Sequence, residues 1–163
     1  MSKHDYRAYC FTNALYMSPI QLGIQSAHAI SEMFSKYTRA DSKVLYKWAA
    51  EDKTIIVLNG GNCADLNEIL YEVRAICNQK AAGGHFLNLP FACFHEDEAS
   101  LGGVITAVTI ILPKEIYQAR QTSERFDPEG IWFYEDDKGR HIDYQPDSLE
   151  AQLLRVVKSC RLA

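Results

Sequence analysis

"MSPIQLGIQSAHAI", residues 17 to 30, reads as the opening of a helix. Ser18 offers a hydroxyl to unbonded amides, and Pro19, at the first helical position, lacks the amide that would otherwise go unpaired. The apolar spacing carries that helix from about Pro19 to Tyr37. Ile20, Ile24, Ala27, Ile30 or Ser31, and Phe34 form its inward face, with Met33 and Tyr37 beside it. At about 100° per residue, Gln21, Gln25 and His28 fall within roughly 60° of one another, so three polar side chains point together near the helix start. Amides and an imidazole supply donors and acceptors without fixed charge, which suits a ribose, a base edge or a phosphate ester, and the helix N-terminus beside them favours anions. The same residues also fit a bland arrangement of solvated glutamines and a hydrogen-bonded packing histidine. Gly23, Ser26, Ala27 and Ala29 are small enough to let another backbone or a ligand come close.

Working outward, Tyr6 to Thr12 is a short aromatic strand that stops at Asn13. Asp41 caps a second helix, "SKVLYKWAAED", that packs through Trp48. "TIIVL" at 54 to 58 has the continuous β-branched character of a strand buried on both faces. It ends at Asn59-Gly60-Gly61-Asn62, a turn that opens a third helix with Leu66, Ile69, Leu70, Val73, Ile76 and Cys77 inward, and Gly83-Gly84 closes that region. A turn after a strand and before a helix is a second candidate for anion contact, although paired glycines also serve an ordinary turn. Strands at 91 to 95 and 104 to 112 flank the acidic run Glu96, Asp97, Glu98, which is either a solvated loop or a holder of a ribose hydroxyl or metal-bound water. The order β, α, α, β, α, β, β predicts an α/β fold, a mixed β-sheet with helices on both faces, closed by Pro113.

The last residues read as a C-terminal extension over 114–163 packed on a core spanning 1–113. It comprises a helix in "KEIYQARQTSERF", a hairpin around Asp137-Lys138-Gly139, and a capped helix with Leu149, Leu153, Val156 and Val157 inward. Trp132, Phe133, Tyr134 and Tyr144, interleaved with Arg140 and His141, suit base stacking, a covered core or a homodimer contact.

With 163 residues, 47% hydrophobic and 23% charged, the chain has the make-up of one globular domain. A net charge of −4 argues against wrapping nucleic acid by counterion release. Cys10, Cys63, Cys77, Cys93 and Cys160 are scattered without zinc-site spacing, so buried reduced thiols are expected, with no metal and no cofactor. "MSKHDYRAYCF" lacks the apolar run of a signal peptide, and no stretch approaches a bilayer span, so a cytoplasmic protein without a membrane partner is expected.

The helix opening, "KTIIVL", "LPFACFHEDEAS" and "GGVITAVTIILP" together resemble the type II peptidyl-tRNA hydrolases, over about residues 6 to 113. In that family a strand leads through an Asp-Leu-Lys-Met turn and Gly-Lys-Gly-Lys into Ala-Gln-x-x-His-Ala. The resemblance aligns Gln25 and His28 with the family's glutamine and histidine, Glu96 or Asp97 with its loop acid, and Ser100 with the hydroxyl that follows. The family's lysine falls at Gln21, and the acid before the helix falls at Ala14. An ammonium stabilises the oxyanion of ester hydrolysis, and losing one such contact typically costs about two to three orders of magnitude in rate. The resemblance therefore implies a binder of a nucleotide-type ligand, a free nucleotide or a tRNA 3′ end, with weak or no hydrolysis. Its candidate contacts are Gln21, Gln25, Asn59, Gly60, Gly61 and Asn62. Two other readings stay open: a working hydrolase using His28, Glu96 or Asp97, and Ser100, and a protein-interaction module built on the aromatic extension.

Overall fold

The computed structural model describes residues 5–123 and 125–163. Its frame is a mixed four-stranded sheet in the order β2-β1-β4-β3, with β1 over Tyr6–Thr12, β2 over Ile55–Asn59, β3 over Phe91–His95 and β4 over Ile105–Pro113. Strand β1 runs parallel to β2 and antiparallel to β4, which pairs antiparallel with β3. Every residue of β4 from Ile105 to Leu112 is buried. The strand expected to be sandwiched, β2, lies instead at an edge with Ile55 44% exposed. A β-branched run marks a strand; whether it sits centrally depends on pairing partners far away in sequence. The outer side of β2 is covered by the chain's last residues: the Asn59 amide donates to the Arg161 carbonyl (2.8 Å) and the Ala163 amide to the Val57 carbonyl (3.1 Å).

Side chains alternate across the sheet. Tyr9, Phe11, Val108, Ile110 and Leu112 meet α3 (Cys63–Asn78) and α6 (Leu149–Ser159) on one face. Ala8, Ala92 and Ile111 meet α1 (Pro19–Lys36) and α2 (Lys43–Lys47, continued by a π-helical turn over Trp48–Asp52) on the other. The cap of α2 is Ser42, whose hydroxyl accepts from the Leu45 amide, whereas Asp41 accepts from Thr38 in the preceding turn. Trp48 is buried as expected and donates its indole N–H to the Thr54 carbonyl.

The orientation of α1 departs from the expected one. Gln25, Ser26, Ala29 and Met33 are its buried residues, while Ile20 (75%), Ile24 (47%) and Phe34 (39%) are exposed, along with Ala27. The sheet face below has small side chains at Ala8, Cys10, Ala92, Ala107 and Thr109, and the helix meets this face through the small Ser26 and Ala29, with Met33 packing beside Ala8, Ala92 and Ile111. Hydrogen bonds support the seating: Cys10 Sγ lies 3.2 Å from Thr109 Oγ1, and the Ser26 hydroxyl donates to the Leu22 carbonyl. Gly23 is on the outward side, with open space around it.

Beyond Pro113, the helix expected over residues 114–126 amounts to one turn, α5 (Lys114–Tyr117). Arg120 then exchanges both backbone hydrogen bonds with Phe133, at 2.9 and 2.8 Å, and a residue bridged in that way cannot continue a helix. Glu124, part of that expected helix, lies outside the described residues, as do residues 1–4. The hairpin forms as expected from β5 (Trp132–Glu135) and β6 (His141–Tyr144), its turn using Gly139 at φ +77°. Ser148 caps α6, and Leu149, Leu153, Val156 and Val157 point inward. Trp132, Tyr134 and Tyr144 are buried in the same core as α3 and β4. Among the described residues, no helix is long and apolar enough to cross a membrane.

Two outcomes test this packing. Replacing Gly23 by Ala should raise the unfolding free energy by about 0.5–1 kcal/mol through helix propensity alone. Gly60→Ala should lower it by about 1–3 kcal/mol as in other overpacked sites, since the added methyl meets Leu66 Cδ2 at 2.5 Å and the Thr12 carbonyl at 3.1 Å; urea titration reads both. Burial also pushes the Cys10 thiol up to about 11 and Cys77 up to about 12. Unfolded thiols ionise near 8.5, so above that pH the unfolded chain binds fewer protons than the native one, and stability should fall steadily with pH. Cys10→Ser with Cys77→Ser should flatten that slope.

Candidate functional site

The residues singled out on α1 meet the end of the sheet where β1 stops and β3 gives way to a loop. Asn13 builds this corner. Its buried amide donates to the Ile105 carbonyl (2.9 Å), and its oxygen accepts from the Leu15 amide (2.9 Å), turning the chain toward α1. Across the corner, the β3–β4 register shifts between Phe94 and His95, an irregularity of the kind that re-aims side chains at sheet ends. The loop after β3 is pinned by the Glu96 amide donating to the Val104 carbonyl (2.9 Å).

A polar network spans these pieces. Gln25 Nε2 donates to Glu96 Oε1 at 2.9 Å, and Gln25 Oε1 accepts from the Thr106 hydroxyl at 2.7 Å. Tyr16 Oη donates to the same Glu96 oxygen at 3.1 Å. Gln25 is 4% exposed and Thr106 fully buried, so each needs its partner to offset lost hydration. Gln25, expected as a ligand contact, thus faces inward and positions Glu96, because both ends of its amide are occupied. Burial first, and the bond to Glu96 second, push the Tyr16 hydroxyl above the usual tyrosine range, keeping it a donor. The other carboxylate oxygen, Glu96 Oε2, has no hydrogen-bond partner among the described residues and is not sealed from solvent.

His28, one turn beyond Gln25, is exposed and stacks its ring on Phe94 of β3 at 4.4 Å between centroids and 11° between planes. Gln21 is exposed one turn before Gln25. Ser18 makes no side-chain cap and Pro19 has no amide, while the Leu22 amide donates to the Ser18 carbonyl (3.0 Å), which leaves the Ile20 and Gln21 amides of the first turn without a side-chain cap. Of the two acids offered for the loop position, the geometry selects Glu96. Asp97 turns away to cap α4 (Glu98–Leu101), accepting from the Ser100 amide at 2.8 Å, and that bond holds its carboxyl below the usual range. Ser100 donates its hydroxyl to the Asp97 carbonyl, so it serves the same short turn.

The Asn59–Asn62 turn does not join this group. Gly60 donates its amide to the Thr12 carbonyl, Gly61 to Asn59 Oδ1, and Asn62 to Asp65 Oδ2. Asn62 in turn caps α3 through the Ala64 and Asp65 amides. With these backbone amides occupied and the Asp65 carboxylate beside them, the turn has lost the amide cradle that would hold an anion. It borders instead a cleft of about 450 Å³ lined by Asp65, Glu68, Glu72 and Arg161. Of the hairpin aromatics, Trp132, Tyr134 and Tyr144 are inside the core, whereas Phe133 is half-buried and stacks on the exposed His141 at 5.7 Å between centroids. Among the described residues, no three His, Cys, Asp or Glu side chains cluster to hold a metal ion.

Tyr16 and Thr106 are site residues that sequence spacing missed. They stand far from Glu96 and Gln25 along the chain, and only the fold brings them together. Replacing Gln25 by Met should cost about 1–3 kcal/mol by removing the better acceptor of the Thr106 hydroxyl and one of the two donors to Glu96, and adding Thr106→Val should cost less than the sum of the two single changes. A double-mutant cycle by chemical denaturation measures that coupling. Compared with known proteins, the chain matches no protein-family model and no curated protein.

Proposed function

We propose that the chain is a divergent relative of the type II peptidyl-tRNA hydrolases that binds a nucleotide-type ligand, a free nucleotide or a tRNA 3′ end, with weak or no ester hydrolysis. The mixed sheet with helices on both faces is compatible with that fold. The observation that carries the reading is the fixed Glu96: one oxygen is held by Gln25 and Tyr16, the other has no partner among the described residues, and the exposed His28, one turn beyond Gln25, stacks on Phe94, two residues before Glu96. A carboxylate of fixed direction, an aromatic surface and the open amides of α1 match the sugar, base and anionic parts of such a ligand.

Strong hydrolysis needs a positive charge at the developing oxyanion. At the matching position stands the neutral Gln21, and the first cation along α1 is Lys36, which donates to the Phe91 carbonyl and lies over that ring. Between His28 and Lys36 the helix rises about 12 Å.

Nucleotides should raise the melting temperature without being consumed. At a hundredfold excess over Kd the gain is about 2.7 kcal/mol, several degrees for a chain of this size. Peptide release from peptidyl-tRNA should stay near background, and Gln21→Lys should raise it. Efficient release by the unaltered protein, or no stabilisation by any nucleotide, counts against the proposal.

A further inference from the structure

For a nucleotide-type ligand, as proposed above, Glu96 determines which part of the molecule is read. An ionised carboxylate only accepts hydrogen bonds, as do phosphate oxygens, so Glu96 has no use for a phosphate at neutral pH. Its Oε1 already accepts from Tyr16 and Gln25, at 3.1 and 2.9 Å. Oε2 is open, and the two bonds to Oε1 fix the direction in which it points. What fits there is a donor from the ligand, either a sugar hydroxyl or an exocyclic base amine.

The ring pair decides between them. His28 is nearly parallel to Phe94 at 4.4 Å and is an exposed residue, so its ring is available to stack on a base. Glu96 lies two residues past Phe94, beyond the edge of that stack. A base lying face-down on His28 carries a sugar whose hydroxyls are donors whatever the base, whereas an exocyclic amine is present on only some bases. We propose that Glu96 Oε2 accepts a ribose hydroxyl of a nucleotide stacked on His28, and that the site thereby selects ribonucleotides over their deoxy counterparts.

Phosphates then point outward toward solvent and the open start of α1, and the acidic neighbours Asp97 and Glu98 oppose their entry beside the carboxylate. Gln25 and Thr106 act as positioning residues, and Glu96 is the specificity group.

The test uses the unaltered protein and equilibrium dialysis with the four ribonucleoside 5′-monophosphates, their 2′-deoxy and 3′-deoxy forms, and the parent nucleosides. For the base that binds best, at least one deoxy form should bind about ten- to a hundredfold more weakly, the usual loss for one charged hydrogen bond. Removing the 5′-phosphate should cost less than removing that hydroxyl. Glu96→Ala should bring ribo and deoxy forms within about threefold of each other, and Glu96→Gln, which keeps an acceptor, should retain part of the difference. Equal binding of ribo and both deoxy forms overturns the ribose assignment while leaving nucleotide binding intact. Binding of no nucleotide or nucleoside overturns both.

Discussion

The close seating of α1 on the sheet is the constraint from which the site follows. Large side chains under that helix would hold it several ångströms higher, and the small residues Ser26 and Ala29 over Ala8, Cys10 and Thr109 let it drop. A helix that close brings its own polar residue, Gln25, into a nearly dry space, where an unpaired amide is costly. The amide must therefore find partners within reach. Those it finds, Thr106 on β4 and Glu96 after β3, are tied together by it. The direction of the Glu96 carboxylate is thus a consequence of helix height.

The same constraint explains the misreading of α1. Hydrophobic periodicity assigns the large aliphatic side to the interior, and it works for α3 and α6, which pack against Tyr9, Phe11 and Leu112. Under α1 the sheet offers small side chains, so volume complementarity overrides hydrophobicity and leaves Ile20 and Ile24 outside. Strand positions were easier to read than strand environments. "TIIVL" and "VITAVTIIL" look alike in composition, and the difference between edge and centre lies in pairing, which local sequence does not encode.

The candidate site was half legible. Gln21, Gln25 and His28 share one stripe of a helix by its 3.6 period, which does not say that Gln25 alone is buried while the other two stay exposed, and Glu96 stands out in an acidic run. The choice between Glu96 and Asp97 turns on one residue of loop geometry, resolved only where Asp97 caps α4. Tyr16 and Thr106 carry no local signal. The glycine turn at 59–62 looked equally promising because unpaired amides and amides spent within the fold read the same in one dimension; Asp65, three residues past the turn, is what fills it.

Charge placement gives the corner its chemical character. The start of α1 leaves amides with partial positive charge, while Glu96 supplies a full negative charge about a turn and a half along the helix, held by neutral donors. Neither end supplies the full positive charge that would stabilise an oxyanion, which is why the proposed reading is binding with little hydrolysis. Position 21 holds a neutral, exposed glutamine, and the second oxygen of Glu96 has no partner among the described residues. On the reading proposed above, the neutral residue at position 21 and the unpaired second oxygen of Glu96 belong together, favouring a hydroxyl donor over ester cleavage.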